Sequence, residues 1–272
     1  VDINSSSDNY KNEHFNLRPL ASVSLNVHQA GGIDPNVFNP IWIEYYPENA
    51  VAVGGNNSKY PTLQEAIEAG ETKVVLQPTQ GSSEFLIGTP IDTDLKILVP
   101  GDLVIKGPIS GVPIFTGGSN KKQGIELLNG STLTLESPIA TLNGDSNFTL
   151  GGNGIVKAEN ITAPLIKADI GNVKVDIKGI QLDTLNTTIG DFSEGINVNV
   201  SDVKFKSTNT TKSLFDISNA TMKMQNIELD LDHAAPAPVI QSSNASVIDI
   251  NNIKASGSIT NVFTVASGTE FN

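Results

Sequence analysis

Apolar and polar residues alternate along MKMQNIELDL, residues 222–231: Met222 and Met224 share one side, the alternation breaks at Gln225-Asn226, and it resumes on Ile227, Leu229 and Leu231. Two-residue alternation predicts a strand with one buried face, and Asn is one of the few non-glycine residues that tolerate a left-handed backbone. The break therefore predicts a tight corner between two strands. The same figure returns in VDIKGIQLD (175–183), VNVSDVKFK (198–206) and VIDINNIKA (247–255). Aligned on it, the residues before the resumed strand are Gly179, Asp202, Asn226 and Asn252, at spacings of 23, 24 and 26. All are of types enriched at positive φ. The next residues are Ile180, Val203, Ile227 and Ile253, β-branched throughout, as a stacked column in a core requires.

A second apolar column precedes each turn: Ile166, Phe215, Ile240 and Phe263, with the 49-residue gap from Ile166 to Phe215 covering two repeats. LVIKGPI (103–109) and LTLESPI (133–139) read as the same corner with an inserted proline. A period of 23 to 26 residues with several short strands per repeat predicts an all-β parallel β-helix, each coil stacking ~4.8 Å above the last. A β-sandwich is the main rival, but its turns would not place one left-handed residue at so steady a spacing. In this register one outward column runs Gln181, Lys204, Glu228, Lys254 and another Asp176, Asn199, Lys223, Asp249. Neighbours alternate in sign or are neutral, as expected of stacked side chains, since like charges directly opposite destabilise adjacent strands.

YPTLQEAIEAG (60–70) followed by KVVLQPTQGSSEFLIGTPI (73–91) predicts a short amphipathic helix leading into the first coil. Thr62 and Glu65 have capping-box spacing, Leu63, Ala66 and Ile67 form the apolar stripe, and Gly70 stops the helix. Such a helix can cover the open first coil and shield its unpaired strand edge. With these features residues 60–272 resemble the pectate-lyase-like right-handed parallel β-helix superfold, which includes polysaccharide lyases and hydrolases and many phage tailspikes. The resemblance is specific to the fold and implies a right-handed solenoid with a short N-terminal capping helix.

Residues 1–59 show no coil period and read as an irregular N-terminal extension. They hold three of the four tyrosines, the only tryptophan, the only arginine and two of the three histidines. They either pack against the side of the solenoid or form a docking surface, with Trp42, Tyr45 and Tyr46 as candidate interface residues, because aromatic side chains are enriched at interfaces. The 272 residues carry a net charge of −12, with no basic run interleaved with aromatics, so nucleic acid is not an expected partner. Cysteine is absent, which leaves no disulfide and no Cys-based metal site. No apolar run approaches the ~18 residues that span a bilayer. The 28 Asn and 24 Gly suit a chain that turns constantly.

The resemblance implies specific chemistry that can be looked for. Pectate lyases of the superfold use an arginine base with calcium held by acidic residues, the esterase branch two aspartates and an arginine, and the polygalacturonase branch several aspartates with Gly-His-Gly and Arg-x-Lys. Here the only arginine is Arg18, the only coil histidine is His233, and Gly-His-Gly does not occur. No catalytic residue is therefore assigned, although carboxylates ~24 residues apart could still meet across coils as a general acid and base. The sharpest local cluster is Glu228, Asp230 and Asp232, followed by His233. Three carboxylates on one face could hold a hard cation such as calcium, or form an ion-paired solvated face with Lys204, Lys206 and Lys254. Asp92 and Asp94 are a weaker pair at a turn. Ten Asn-x-Ser/Thr triplets, among them Asn129, Asn219 and Asn244, read either as glycan acceptors or as turn chemistry, the latter because Asn219-Ala-Thr and Asn244-Ala-Ser occupy equivalent corners.

The expectation is an extracellular, cell-surface or virion β-helix that is structural and adhesive: a rigid rod that joins subunits of its own or a larger assembly, with glycans among its candidate ligands and no cofactor. Two alternatives are a polysaccharide-degrading enzyme of the tailspike type and a self-assembling extracellular filament subunit. NVFTVASGTEFN (261–272) repeats the opening of a coil, with Val262-Phe263 matching Val239-Ile240 and Ala266–Thr269 matching Ser243–Ser246. An uncovered last coil leaves strand groups open to water, so the expectation is that further chain, another domain or a neighbouring subunit meets this end.

Overall fold

The computed structural model describes residues 62–76, 83–107, 111–233, 237–259 and 261–272, preceded by strands at Asn26–Gln29, Ile41–Glu44, Val51–Val53 and Lys59–Tyr60; the side chains of 208–210, 232 and 233 and of the strands before Tyr60 are outside this description. The chain is nearly all β and forms a parallel β-helix of about seven turns. Two sheets run its length. One has seven strands; the other has fourteen, because long strands such as Lys122–Leu135, Asn197–Thr210 and Thr221–His233 bend at a corner and belong to two faces at once.

The corner is the one the alternation predicts. Gly179, Asp202, Asn226 and Asn252 have φ of 69°, 55°, 53° and 61°. Behind them Ile180, Val203 and Ile227 are buried and Ile253 packs against the same core. The asparagines add a second device. Asn252 Nδ2 donates to Asn226 Oδ1 at 2.9 Å, and Asn226 Nδ2 donates to Asp202 Oδ1 at 2.9 Å, so successive corners are tied by a side-chain ladder. Asn199 donates likewise to Asp176, Asn172 to Asp145 and Asn272 to Asp249, each across one coil. This repeated amide-to-carboxylate step is one structural use of the abundant asparagine.

The ladder sharpens the expected effect of changes at the corner. Asn226→Val should cost about 2 kcal/mol, through a β-branched residue forced to positive φ and two lost amide bonds, whereas Asn226→Gly keeps the backbone and should cost about 1 kcal/mol or less. Urea titration of the three proteins should rank them native, Gly, Val. Equal midpoints for Val and Gly would remove the left-handed backbone as the cause.

The second column is Ile91, Phe115, Ala140, Ile166, Gly190, Phe215, Ile240 and Phe263, each beside the next. Gly190 is the member hidden in the 49-residue gap; the rings of Phe192 and Phe215 occupy the place of its missing side chain. One reading changes. Leu103–Ile105 pairs with Leu133–Leu135, which pairs with Val156–Ala158 and so with Leu182–Thr184. The openings of LVIKGPI and LTLESPI, Leu103–Lys106 and Leu133–Leu135, thus belong to the strand after the corner, and the corners of those coils lie earlier, at 100–102 and at Asn129-Gly130, the latter with φ of 57° and 73°. Pro138 follows the strand and plays no part in the bend; Pro108 lies outside the described residues.

At the N-terminal end Thr62 caps the helix Leu63–Glu68 by accepting from Glu65 N at 3.1 Å, and Leu63 and Ala66 join the core. The edge of the first coil strand, Lys73–Leu76, is paired by Val51–Val53 running antiparallel, and Val51–Val53 pairs in turn with Lys59–Tyr60. The helix adds apolar cover, and an antiparallel strand completes the ladder that it was expected to shield. At the other end residues 261–272 continue the coil: Phe263 stands on Ile240 and Glu270-Phe271 on Val247-Ile248, with Val265 and Phe271 41% and 45% exposed.

Candidate functional site

The three outward faces differ in how their charges are arranged. On the face formed by the second halves of the long strands, the column Lys157, Asp183, Lys206, Asp230 alternates in sign coil by coil. The neighbouring column Gln181, Lys204, Glu228, Lys254 stacks as predicted. Lys204 Nζ lies 3.1 Å from Glu228 and 3.8 Å from Asp230, and the hydrogen bond with Glu228 and that carboxylate's charge hold its ammonium above its ordinary pKa. Two of the three carboxylates proposed for a cation therefore share Lys204; the side chains of Asp232 and His233 lie outside the described residues. Among the described residues no group of three or more metal-ligating side chains converges. Asp94, the other acidic candidate, accepts the Lys122 backbone N–H at 2.9 Å and serves its turn.

The aromatic candidates fall at the margin of the description. Trp42 pairs with His28 in the antiparallel ribbon Asn26–Gln29 and Ile41–Glu44, while its side chain, Tyr45 and Tyr46 lie outside the described residues. Among the Asn-x-Ser/Thr triplets, Asn129, Asn219 and Asn244 have φ of 57°, 57° and 61°. Asn244 Nδ2 donates to Ser218 Oγ at 2.8 Å, a turn role that uses the amide nitrogen itself.

The seven-stranded sheet holds what the sequence pattern missed. Its outward column runs Thr116, Thr141, Lys167, Asp191, Asp216, Gln241. Asp191 and Asp216 stand directly opposite on adjacent strands, an arrangement of like charges that destabilises the sheet. Ser213 Oγ donates to Asp216, and Lys167 pairs with Asp169 at 3.0 Å. Asp216, Ser213, Lys212, Thr188 and Gln241 line a cavity of about 390 Å³, so a carboxylate, an ammonium and several hydroxyl and amide groups face one hollow. Partial burial raises the pKa of Asp191 above its ordinary value; Lys167 opposes the shift and the charges of Asp216 and Asp169 add to it. Gly190 is the apolar column's member in that coil, and its register against Phe215 sets Asp191 beside Asp216.

A raised carboxylate pKa means that ionised Asp191 lowers stability at neutral pH. That cost fades as pH falls through the raised value and is gone below the ordinary one. Asp191→Asn should therefore stabilise the protein at pH 7, by a few tenths of a kcal/mol given solvent screening, and the advantage should vanish near about pH 3. Denaturant titrations at both pH values check this. A variant less stable than the native protein at neutral pH would put the attraction of Lys167 ahead of desolvation.

Comparison of the chain with protein-family models, with curated proteins and with solved structures finds no match in any of the three.

Proposed function

We propose that the chain is a structural and adhesive β-helix of a cell surface or virion, a stiff rod that joins an assembly and presents its faces to glycans. The observation that supports this most is how the coils are tied to one another along one face, at the corners and through the interior. One face alternates its charges for four coils, asparagine ladders tie the corners, and the interior is one continuous apolar stack from Leu63 to Ile248. Such a repeat resists bending because every coil is held by parallel ladders to both neighbours. The proposal includes the tailspike-like and adhesin-like members of the superfold that the coils resemble. Sedimentation velocity with small-angle scattering tests it: the expected result is an elongated particle that associates into a defined oligomer, and a compact particle that stays monomeric at all concentrations would overturn it.

A second reading, polysaccharide cleavage, is favoured by Asp191 and Asp216. Strand spacing of ~4.8 Å sets their backbones close to the roughly 5 Å carboxylate separation used by double-displacement glycosidases. The partly buried Asp191, which holds its proton longer, suits the acid role and Asp216 that of the nucleophile. Release of reducing ends from a polysaccharide by the intact chain, lost in Asp191→Asn, would support it; no release from neutral or acidic polysaccharides would set it aside.

A further inference from the structure

Asn-Gly occurs three times, at 129–130, 143–144 and 153–154, each time at a bend of the coil. The pair carries the parts of one reaction: a side-chain amide carbon and, one residue on, a backbone nitrogen with no β-carbon beside it to block approach. All three asparagines are exposed, and no side-chain hydrogen bond holds their amides among the described residues. What separates them is how the glycine nitrogen is held.

Gly144 N donates to Ile170 O at 3.0 Å, and a Cβ on Gly144 would lie 2.6 Å from Ser119 Oγ. Gly154 stands in register with Ser131, whose carbonyl oxygen would lie 2.3 Å from a Cβ there. Gly130 is different. Leu127 pairs with Gly152 and Ser131 with Gly154, so residues 128–130 have no ladder partner in the following coil. In the preceding coil the pairing stops at Val99, opposite Leu127, and resumes at Leu103, opposite Leu133. Nothing lies within 4 Å of the place a Gly130 Cβ would take. A bulge of this kind leaves its backbone groups unpaired, whereas a ladder must open locally before its nitrogens can react.

We propose that Asn129 is a site of spontaneous covalent modification in the folded chain. The Gly130 nitrogen loses its proton and bonds to Asn129 Cγ, and the Cγ–Nδ2 bond breaks as Nδ2 leaves as ammonia, which closes a cyclic imide. Water then opens the ring at either carbonyl. The product is an aspartate at position 129 or an isoaspartyl link, in which the main chain runs through the former side chain and is one atom longer. Nothing is oxidised or reduced. Either product adds a negative charge to a chain of net charge −12. The corner has room for the longer link, because residues 128–130 already stand against Asn153 alone, outside the paired register. The modified coil therefore stays in the stack, and conversion accumulates with the age of the molecule.

The test is peptide mapping by mass spectrometry of the full chain, produced in a bacterial host so that no glycan occupies Asn129, after incubation in mildly alkaline buffer with and without urea. In the folded protein Asn129 should convert more than about tenfold faster than Asn143 and Asn153, whose glycine nitrogens react only after local opening. In urea, where no ladder remains, the three rates should fall within a few-fold of one another. Conversion at Asn129 should speed up with pH, since the deprotonated nitrogen attacks. Gly130→Ala should slow it about tenfold in both states by setting a methyl group beside that nitrogen. Folded protein in which Asn143 or Asn153 keeps pace with Asn129, or in which Asn129 stays intact while the urea sample converts, overturns the assignment. The converted protein should keep the urea midpoint of the unconverted one; a lost transition would overturn the claim that this corner absorbs the product.

Discussion

Gly152→Ala is expected to destabilise the protein by about 3 kcal/mol or more, while Gly130→Ala, one coil away, costs only about 1 kcal/mol. Both glycines have positive φ, 115° and 73°, so both substitutions strain the backbone. They differ in what the added methyl meets. A Cβ at Gly152 would lie 2.0 Å from the Leu127 carbonyl oxygen and 2.7 Å from its nitrogen, whereas at Gly130 nothing lies within 4 Å. Backbone cannot turn away as a side chain can, and Leu127 is held by ladder partners on both sides, Val99 and Gly152. Relief would require coils to separate, and the interior stack opposes that. Urea titration of the two single variants measures the difference directly. Similar losses for both would mean that the coils give way at this corner, and that positive φ alone sets the cost.

The same corner shows why part of the fold could be read from the chain and part could not. From Gly179 onward the bend is one left-handed residue followed by one β-branched residue, so Asp202, Asn226 and Asn252 repeat at near-constant spacing. In the two coils before it the bend is wider. Leu128, Asn129 and Gly130 face Asn153 alone, and Gly152, Asn153 and Gly154 face Gly179 and Ile180. Insertions of one or two residues at a corner barely disturb the stacked strands but destroy a fixed sequence period. For that reason LVIKGPI and LTLESPI match the corner in sequence while their first residues stack on the strand after it. The carboxylate pair was hidden by Gly190, since a column position filled by rings from Phe192 and Phe215 has no apolar residue of its own to mark it.

Phe215→Ala is expected to cost about 4–5 kcal/mol, the upper end for loss of a buried aromatic ring. Phe215 is fully buried, stacks on Phe192 at 6.4 Å and meets Phe205 edge-on at 5.5 Å. Its strand neighbour on one side is Gly190, which has no side chain to move into the hole, and on the other Ile240, which is held in its own ladder. A cavity made there cannot collapse without shifting a whole coil, and the cost of such substitutions rises with the cavity that remains. Phe205→Ala opens the same space from the adjoining face, so the double variant should lose less than the two singles added, by about 1 kcal/mol. Position makes the effect informative beyond its size. In a linear stack each coil is stabilised only by its neighbours, so a hole in a middle coil weakens the coupling between the two ends. Native protein should melt in one transition and Phe215→Ala in two, by circular dichroism during urea titration. A loss below about 2 kcal/mol with a single sharp transition would show that the coils can close over the gap, and that the stack is softer than its ladders imply.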